Sequence, residues 1–147
     1  MRKIVFLVGL FLIWNFSYKI IPEDVAFLTT LRGYSFLPMN VYNSLWLIST
    51  FLFCYSFYKL LISYDLNSNY NFIVILNYVF SQFFRFCFYG YHSIIISLIS
   101  LCVMVVSSLF LFIETKKIDK GISYLTILYF LINVLSLINM MVIFLLN

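Results

Sequence analysis

Charge is what this sequence has least of. Nine Lys and Arg, five Asp and Glu and one His in 147 residues make it 10% charged, against roughly 25% in an ordinary soluble domain. That scarcity argues against a soluble active site built on ionic groups. The formal net charge of +4 is not a nucleic-acid footprint either. The basic residues sit at the ends of apolar runs, where lipid headgroups and topology explain them. The three cysteines, Cys54, Cys87 and Cys102, all fall within apolar segments. They lack zinc or haem-attachment spacing, and their odd number argues against a disulfide framework. Buried free thiols are expected. The single histidine, His92, lies in a loop and is expected to be solvated rather than an iron ligand. There is no nucleophile–base pair, no carboxylate pair inside an apolar run and no phosphate loop. Glu114 and Asp119 sit among lysines. No hydrolase or transferase chemistry is visible, no metal site is expected, and no motif requires a cofactor.

What the sequence has in excess is apolar surface: 65% hydrophobic residues and a mean hydropathy of +1.08. That fills several spans of about 20 residues each and leaves little for an extramembrane domain. The expected architecture is all-α, a single integral membrane bundle of five transmembrane helices over residues 1–147, with spans at about 4–21, 38–61, 72–88, 93–113 and 122–146. Arg2 and Lys3 followed by the apolar run Ile4–Leu12 resemble a signal peptide. The residues that follow, Ile13, Trp14, Asn15 and Phe16, offer no small-residue cleavage site, so an uncleaved first transmembrane helix is expected. Pro22 ends that helix, and Pro22–Leu37 reads as a connector forming a short interfacial helix or a lid. Pro38 suits a helix start, Asp65–Asn71 a turn, Gly90 a break, and Glu114–Gly121 a short charged loop. Placing the N-terminus inside puts Arg2, Lys3, Lys59, Lys116, Lys117 and Lys120 in the cytoplasm, which the positive-inside rule favours. The Ile, Phe, Tyr, Asn and Lys bias suggests a low-GC genome; the expected location is a bacterial cytoplasmic membrane, with the N-terminus inside and the C-terminus outside.

In lipid, a polar stripe marks the helix face that meets protein. Four of the five spans carry one at three- or four-residue steps: Asn43, Trp46, Thr50 and Cys54; Asn77, Ser81 and Arg85 beside Phe80 and Phe84; Ser93, Ser97, Ser100 and Ser107; and Tyr129, Asn133, Ser136 and Met140. One reading is that these faces only pack helices, as small residues permit close approach. The sharper reading is a pocket between the second, third and fifth spans, in which aromatics beside isolated amides suit a flat, mostly apolar ligand. Arg85 at mid-bilayer would cost about 2.5–3.5 kcal/mol. Its place near a span end predicts snorkelling to the interface, the alternative being contact with an anionic group at the pocket mouth. Trp14 and Tyr18 read as interfacial belt residues.

The segment PMNVYNSLWLISTFLFCYSFYKLL, with Trp46 and Tyr58, then ILNYVFSQFFRFCFYGYHS, with Leu76, Asn77, Phe88, Tyr89 and Gly90, and finally LYFLINVLSLINMMVIFLLN, with Tyr129 and Asn147, together resemble the TspO/MBR family of tryptophan-rich sensory proteins, to which the mitochondrial translocator protein belongs. The likeness runs from about Pro38 onward, and the first helix fits by length. Family tryptophans are replaced at Phe80 and Ile132, the acidic residue of the fourth span by Ser100, and a proline by Leu128. The resemblance implies a five-helix bundle, often homodimeric, with a cavity under a connector lid that binds porphyrins or other hydrophobic molecules. Carried over by position, Trp46, Asn77, Phe80, Ile132 and Ser136 would line it, with Thr50 and Ser97 nearby and Arg85 meeting a propionate. Tryptophan-dependent porphyrin breakdown is not expected with Phe80 and Ile132 in place of Trp. The expected function is therefore a membrane receptor or carrier for a tetrapyrrole-like ligand, sensory or transporting, with the bilayer as surroundings. The rival is a structural membrane subunit whose stripes pack helices or partner proteins.

Overall fold

The structure, a computed structural model, describes residues 2–33 and 39–147. Seven α-helices account for most of them: α1 (Arg2–Trp14), α2 (Phe16–Ile20), α3 (Val25–Thr30), α4 (Met39–Ser63), α5 (Ser68–Arg85), α6 (Ile94–Ile118) and α7 (Lys120–Leu146). One π-helical turn, Phe86–Gly90, continues α5. Among the described residues, four segments are long and apolar enough to cross a membrane: 41–63, 68–90, 94–118 and 120–146. The chain is thus an all-helical integral membrane protein.

The distribution of polarity agrees with that setting. Ile75, Val79, Ile99, Val106, Leu131 and Ile138 point outward, while Ser49, Thr50, Asn77, Ser97, Ser100, Ser107, Thr126 and Asn133 are buried. A water-soluble bundle arranges these the other way round. In lipid the outside must be apolar, and polar side chains turn away from hydrocarbon toward neighbouring helices.

The helices form a ring. α6 packs along α7, α5 along α6 and α4 along α7, while α1 leans on α4 and α2 on α5. The first segment therefore closes the gap between α4 and α5. Its expected single span is split: α1 stops at Trp14 and α2 starts at Phe16. The carboxamide of Gln82 on α5 repairs the break, donating to the Trp14 carbonyl at 2.8 Å and accepting from the Ser17 N–H at 2.9 Å. Helix ends inside an apolar bundle need such partners.

The other boundaries have local causes. Asn67 caps α5 by accepting from the Tyr70 N–H at 2.7 Å, so α5 begins four residues before the expected Phe72. The predicted charged loop 114–121 shrinks to one residue. α6 runs on to Ile118, and Asp119 at once caps α7 by accepting from the Ile122 N–H at 3.0 Å. Glu114 and Lys117, three residues apart, pair on the outside of that last turn. The helix start expected at Pro38 lies outside the described residues.

Two apolar clusters stack along the bundle. One gathers Trp14, Phe53, Leu60, Tyr70, Leu111 and Tyr129. The other gathers Leu28, Trp46, Phe88, Leu101, Met104, Ile132, Met140 and Ile143. Trp14, expected in an interfacial belt, is instead buried with its ring centroid 4.9 Å from that of Phe53 and 5.2 Å from that of Tyr78. Cys54 and Cys87 are buried thiols as expected, but Cys102 is exposed, because it lies on the outward face of α6.

Candidate functional site

The polar residues of α5 divide into two groups with different surroundings. Asn77 is fully buried. Its Nδ2 donates to the Met104 carbonyl at 3.1 Å and to Ser107 Oγ at 2.7 Å, and its Oδ1 accepts from the Tyr129 hydroxyl at 2.8 Å. One side chain thereby joins α5 to α6 and α7. An amide has two donors and an acceptor oxygen, and this one is satisfied by protein alone.

Two turns further on, Arg85 looks into a small cavity. The cavity encloses about 50 Å³. Its wall takes Tyr18 from α2, Tyr42, Asn43 and Trp46 from α4, Ser81, Phe84 and Arg85 from α5, Phe88 and Tyr89 from the π turn, Leu101 from α6, and Ser136, Asn139, Met140 and Ile143 from α7. Tyr42 and Ser136 share a hydrogen bond across the α4–α7 seam. Ser136 also donates back to the Ile132 carbonyl at 2.8 Å.

Arg85 does not snorkel. It is 5% exposed, its Nε donates to the Ile21 carbonyl at 2.9 Å, and its guanidinium carbon lies 3.7 Å from the Tyr18 ring centroid and 4.8 Å from that of Tyr89. Both aromatic faces attract the cation. The Asn15 break swings Tyr18 inward from its expected belt position, and Gln82 fixes that break one turn before Arg85.

Residues 22–33 of the connector close this end of the bundle. Asp24 caps α3 by accepting from the Phe27 N–H at 3.0 Å and pairs with His92 Nε2 at 3.1 Å. The Phe27 N–H, and secondarily His92, hold the Asp24 carboxyl below its usual range. Phe27 stacks on His92 at 4.2 Å and meets Phe88 edge-on at 5.5 Å. His92 sits at φ 54°, a left-handed conformation that few non-glycine residues adopt, where the chain turns from the π segment into α6. On the other side, Asn147 grips Arg32 twice: Oδ1 accepts from the Arg32 N–H and Nδ2 donates to the Arg32 carbonyl, both at 3.0 Å. Gly33 follows at φ 64°. A Cβ there would lie 2.5 Å from Leu146 Cδ1, the movable end of a side chain, so it is the left-handed φ that favours glycine.

Of the site residues named from the sequence, the cavity brings together Trp46, Ser136 and Arg85, and of the other stripe residues Asn43, Ser81, Phe84 and Met140. Thr50 is fully buried one turn from Trp46, Ile132 is buried one turn from Ser136, and Phe80 is half-buried, its ring 6.3 Å from that of Phe83. None of these three forms the wall, and neither does Asn77. Ser97, also off the wall, is buried on α6 and donates to the Ser93 carbonyl at 2.6 Å. Sequence reasoning missed Tyr18, Tyr42 and Tyr89 as wall residues. A signal existed for Tyr89, four residues after Arg85, since an i, i+4 aromatic sits over a helical cation. Among the described residues no group of three His, Cys, Asp or Glu side chains could hold a metal ion. No protein-family model matches the chain, and no curated protein matches it.

Proposed function

We propose that the chain is a membrane receptor or carrier that holds a hydrophobic, tetrapyrrole-like molecule between α4, α5 and α7, beneath a lid formed by residues 22–33, α3 among them. The observation that carries this reading is the aromatic-walled cavity with a buried cation. Membership of the TspO/MBR family, a first span made of α1 and α2 together, and a cytoplasmic N-terminus in a bacterial membrane belong to the same proposal. Trp46 and the Phe84–Phe88 pair, parallel within 10° at 5.8 Å, supply flat apolar surface for a macrocycle. Ser136 and Tyr42 supply hydroxyls.

At about 50 Å³ the cavity is smaller than the roughly 300–1,000 Å³ of sites that enclose drug-sized ligands. A macrocycle therefore enters by displacing the lid. The contacts that hold α3 suit such movement. The Asp24–His92 and Arg32–Asn147 clasps are exposed to solvent, and elements tied by few, exposed bonds open at low free energy. Thr50, Phe80 and Ile132, one layer behind the wall, then come within reach of a larger ligand.

The rival reading, a structural subunit, is favoured by Asn77, whose hydrogen bonds are all spent on helix packing. Titration with protoporphyrin IX separates the two. The Trp14→Phe variant leaves Trp46 as the only tryptophan, and its fluorescence reports on the cavity. Saturable quenching at micromolar porphyrin, weakened at least tenfold when Ser136→Phe fills the cavity, is the expected result. Linear quenching identical in the two proteins means that porphyrin only partitions into the detergent, and the structural reading takes over.

A further inference from the structure

We propose that the cavity takes an amphiphile with an oxyanionic head, a carboxylate or a phosphate, and that Arg85 is the group that binds this head. The inference rests on the ligand-binding reading above and adds the chemical class of the ligand.

Arg85 is almost completely buried, yet among the described residues no carboxylate pairs with it. Asp24 is engaged by His92 and Glu114 by Lys117. The groups in direct contact with the guanidinium are neutral: the Ile21 carbonyl on Nε, the Tyr18 ring beneath it and the Tyr89 ring beside it; Glu23, on the connector near Tyr18, forms no ion pair with it. The contacting groups fix its position without neutralising its charge. A buried charge with no counter-ion is costly, and at a cavity wall an incoming anion removes that cost. The partners already in place also suit the task. Arginine presents five N–H donors in a planar fork that matches a carboxylate or phosphate edge in bidentate fashion. With Nε anchored on Ile21 and a ring on its face, the fork is held in one orientation before any ligand arrives.

The remaining wall limits the rest of the molecule. Among the described residues Arg85 is the one cation on it and no acid lies on it, so one oxyanionic group of a ligand meets a counter-ion there and a cationic ligand would be repelled. Trp46, Phe84, Leu101, Met140 and Ile143 make the body of the site apolar. One charge at one end and hydrocarbon beyond it describe an anionic amphiphile. Ile21 is the last residue before Pro22 and the connector, so the guanidinium that receives the head also holds the root of the lid.

The test uses the full chain in phosphatidylcholine nanodiscs, with 11-(dansylamino)undecanoic acid and its methyl ester as fluorescent probes. The acid is expected to bind about tenfold or more tightly than the ester, the size of a charged hydrogen bond. The preference should vanish in Arg85→Gln and survive, reduced, in Arg85→Lys. Displacement of the acid by lysophosphatidic acid would identify a lipid headgroup as a source of the head, and failure of that displacement would leave the free carboxylate as the source. Acid and ester binding equally in the wild-type protein would overturn this inference and leave the cavity reading intact. That comparison needs no variant to fold. Neither probe binding, together with non-saturating porphyrin quenching, would remove the ligand-binding reading itself.

Discussion

Replacing Asn77 by alanine is the sharpest check on how the bundle is held together. The amide makes three hydrogen bonds, to Met104, Ser107 and Tyr129, and the losses are unequal. Ser107 Oγ keeps its bond to the Met104 carbonyl at 3.1 Å, so neither group on α6 is orphaned. The Tyr129 hydroxyl, in a residue 1% exposed, loses the acceptor it has in Asn77. An unsatisfied buried hydroxyl costs about 1–3 kcal/mol. Hydrogen bonds between membrane helices average about 0.6 kcal/mol and reach about 1.7, because the unfolded chain in the membrane also finds partners. The expected loss is about 2 kcal/mol, a fall of roughly 4–8 °C in the thermal midpoint for a chain of this size. Near-UV circular dichroism in a fixed detergent reads it. Tyr129→Phe should cost less, and the double variant should cost less than the two singles added, because the bond can be lost only once. Ligand affinity should barely change, since Asn77 is not on the cavity wall. An Asn77→Ala protein that melts with the wild type but loses porphyrin binding would refute this division of labour along α5.

Gln82→Leu removes both partners of the break between α1 and α2, so hydrogen exchange at the Ser17 amide should accelerate and the melting midpoint fall by a few degrees. Unchanged exchange would mean that the break needs no repair from α5. Acid should loosen the bundle through its two Asp caps. Backbone N–H groups hold the carboxyls of Asp24 and Asp119 below their ordinary range, Phe27 for the first and Ile122 for the second. Their contribution is fully present above the unfolded carboxyl value of about 3.9 and is lost as pH falls through the depressed folded values. The melting midpoint should therefore fall on the acid side of about pH 4, and less so in the double Asn variant. An acid limb identical in the two proteins would show that these caps do not couple to folding.

The membrane class, the four long spans and the inward polar faces were legible because each rests on a regular period in a nearly uncharged chain. Asn77, Ser81 and Arg85 do share one face of α5. What the period could not convey was how that face is used. Asn77 and Arg85 look alike as isolated polar residues at four-residue steps, and only the positions of Tyr129, Ser107 and Tyr18 show that one is satisfied internally and the other faces a cavity. The break at Asn15 left no trace in hydropathy, because residues on both sides are apolar and the group that repairs it, Gln82, is 65 residues away in sequence from Ser17. Arg85 was expected to snorkel because that rule considers one helix in lipid. Within a bundle, Ile21, Tyr18 and Tyr89 offer it an interior position instead. The loop expected at 114–121 failed for a different reason: charged residues next to an apolar run read as an end, yet Glu114 and Lys117 continue the helix as an exposed pair and only Asp119 stops it.

The arrangement around Arg85 also explains why the end of α5 becomes a π turn. The guanidinium must meet Ile21 and Tyr18 on the α2 side, while Tyr89, four residues later, must reach its other flank and Phe88 must join Phe27 and Phe84. Continuing α5 as a regular α-helix would carry residues 86–90 on past the connector. The wider turn, with the Tyr91 N–H bonded to the Phe86 carbonyl at 3.2 Å, inserts extra backbone. It brings Cys87 and Phe88 inward while Tyr89 stays 4.8 Å from the guanidinium carbon. Such turns gather at functional sites because the bond pattern they give up must be compensated by the surroundings. Here the compensation is the aromatic group of Phe27, Phe88 and His92, which also seats the lid. Local geometry at the end of α5, the position of the cation and the closure of the connector are thus one constraint, and a substitution that restored a regular helix there would disturb all three together.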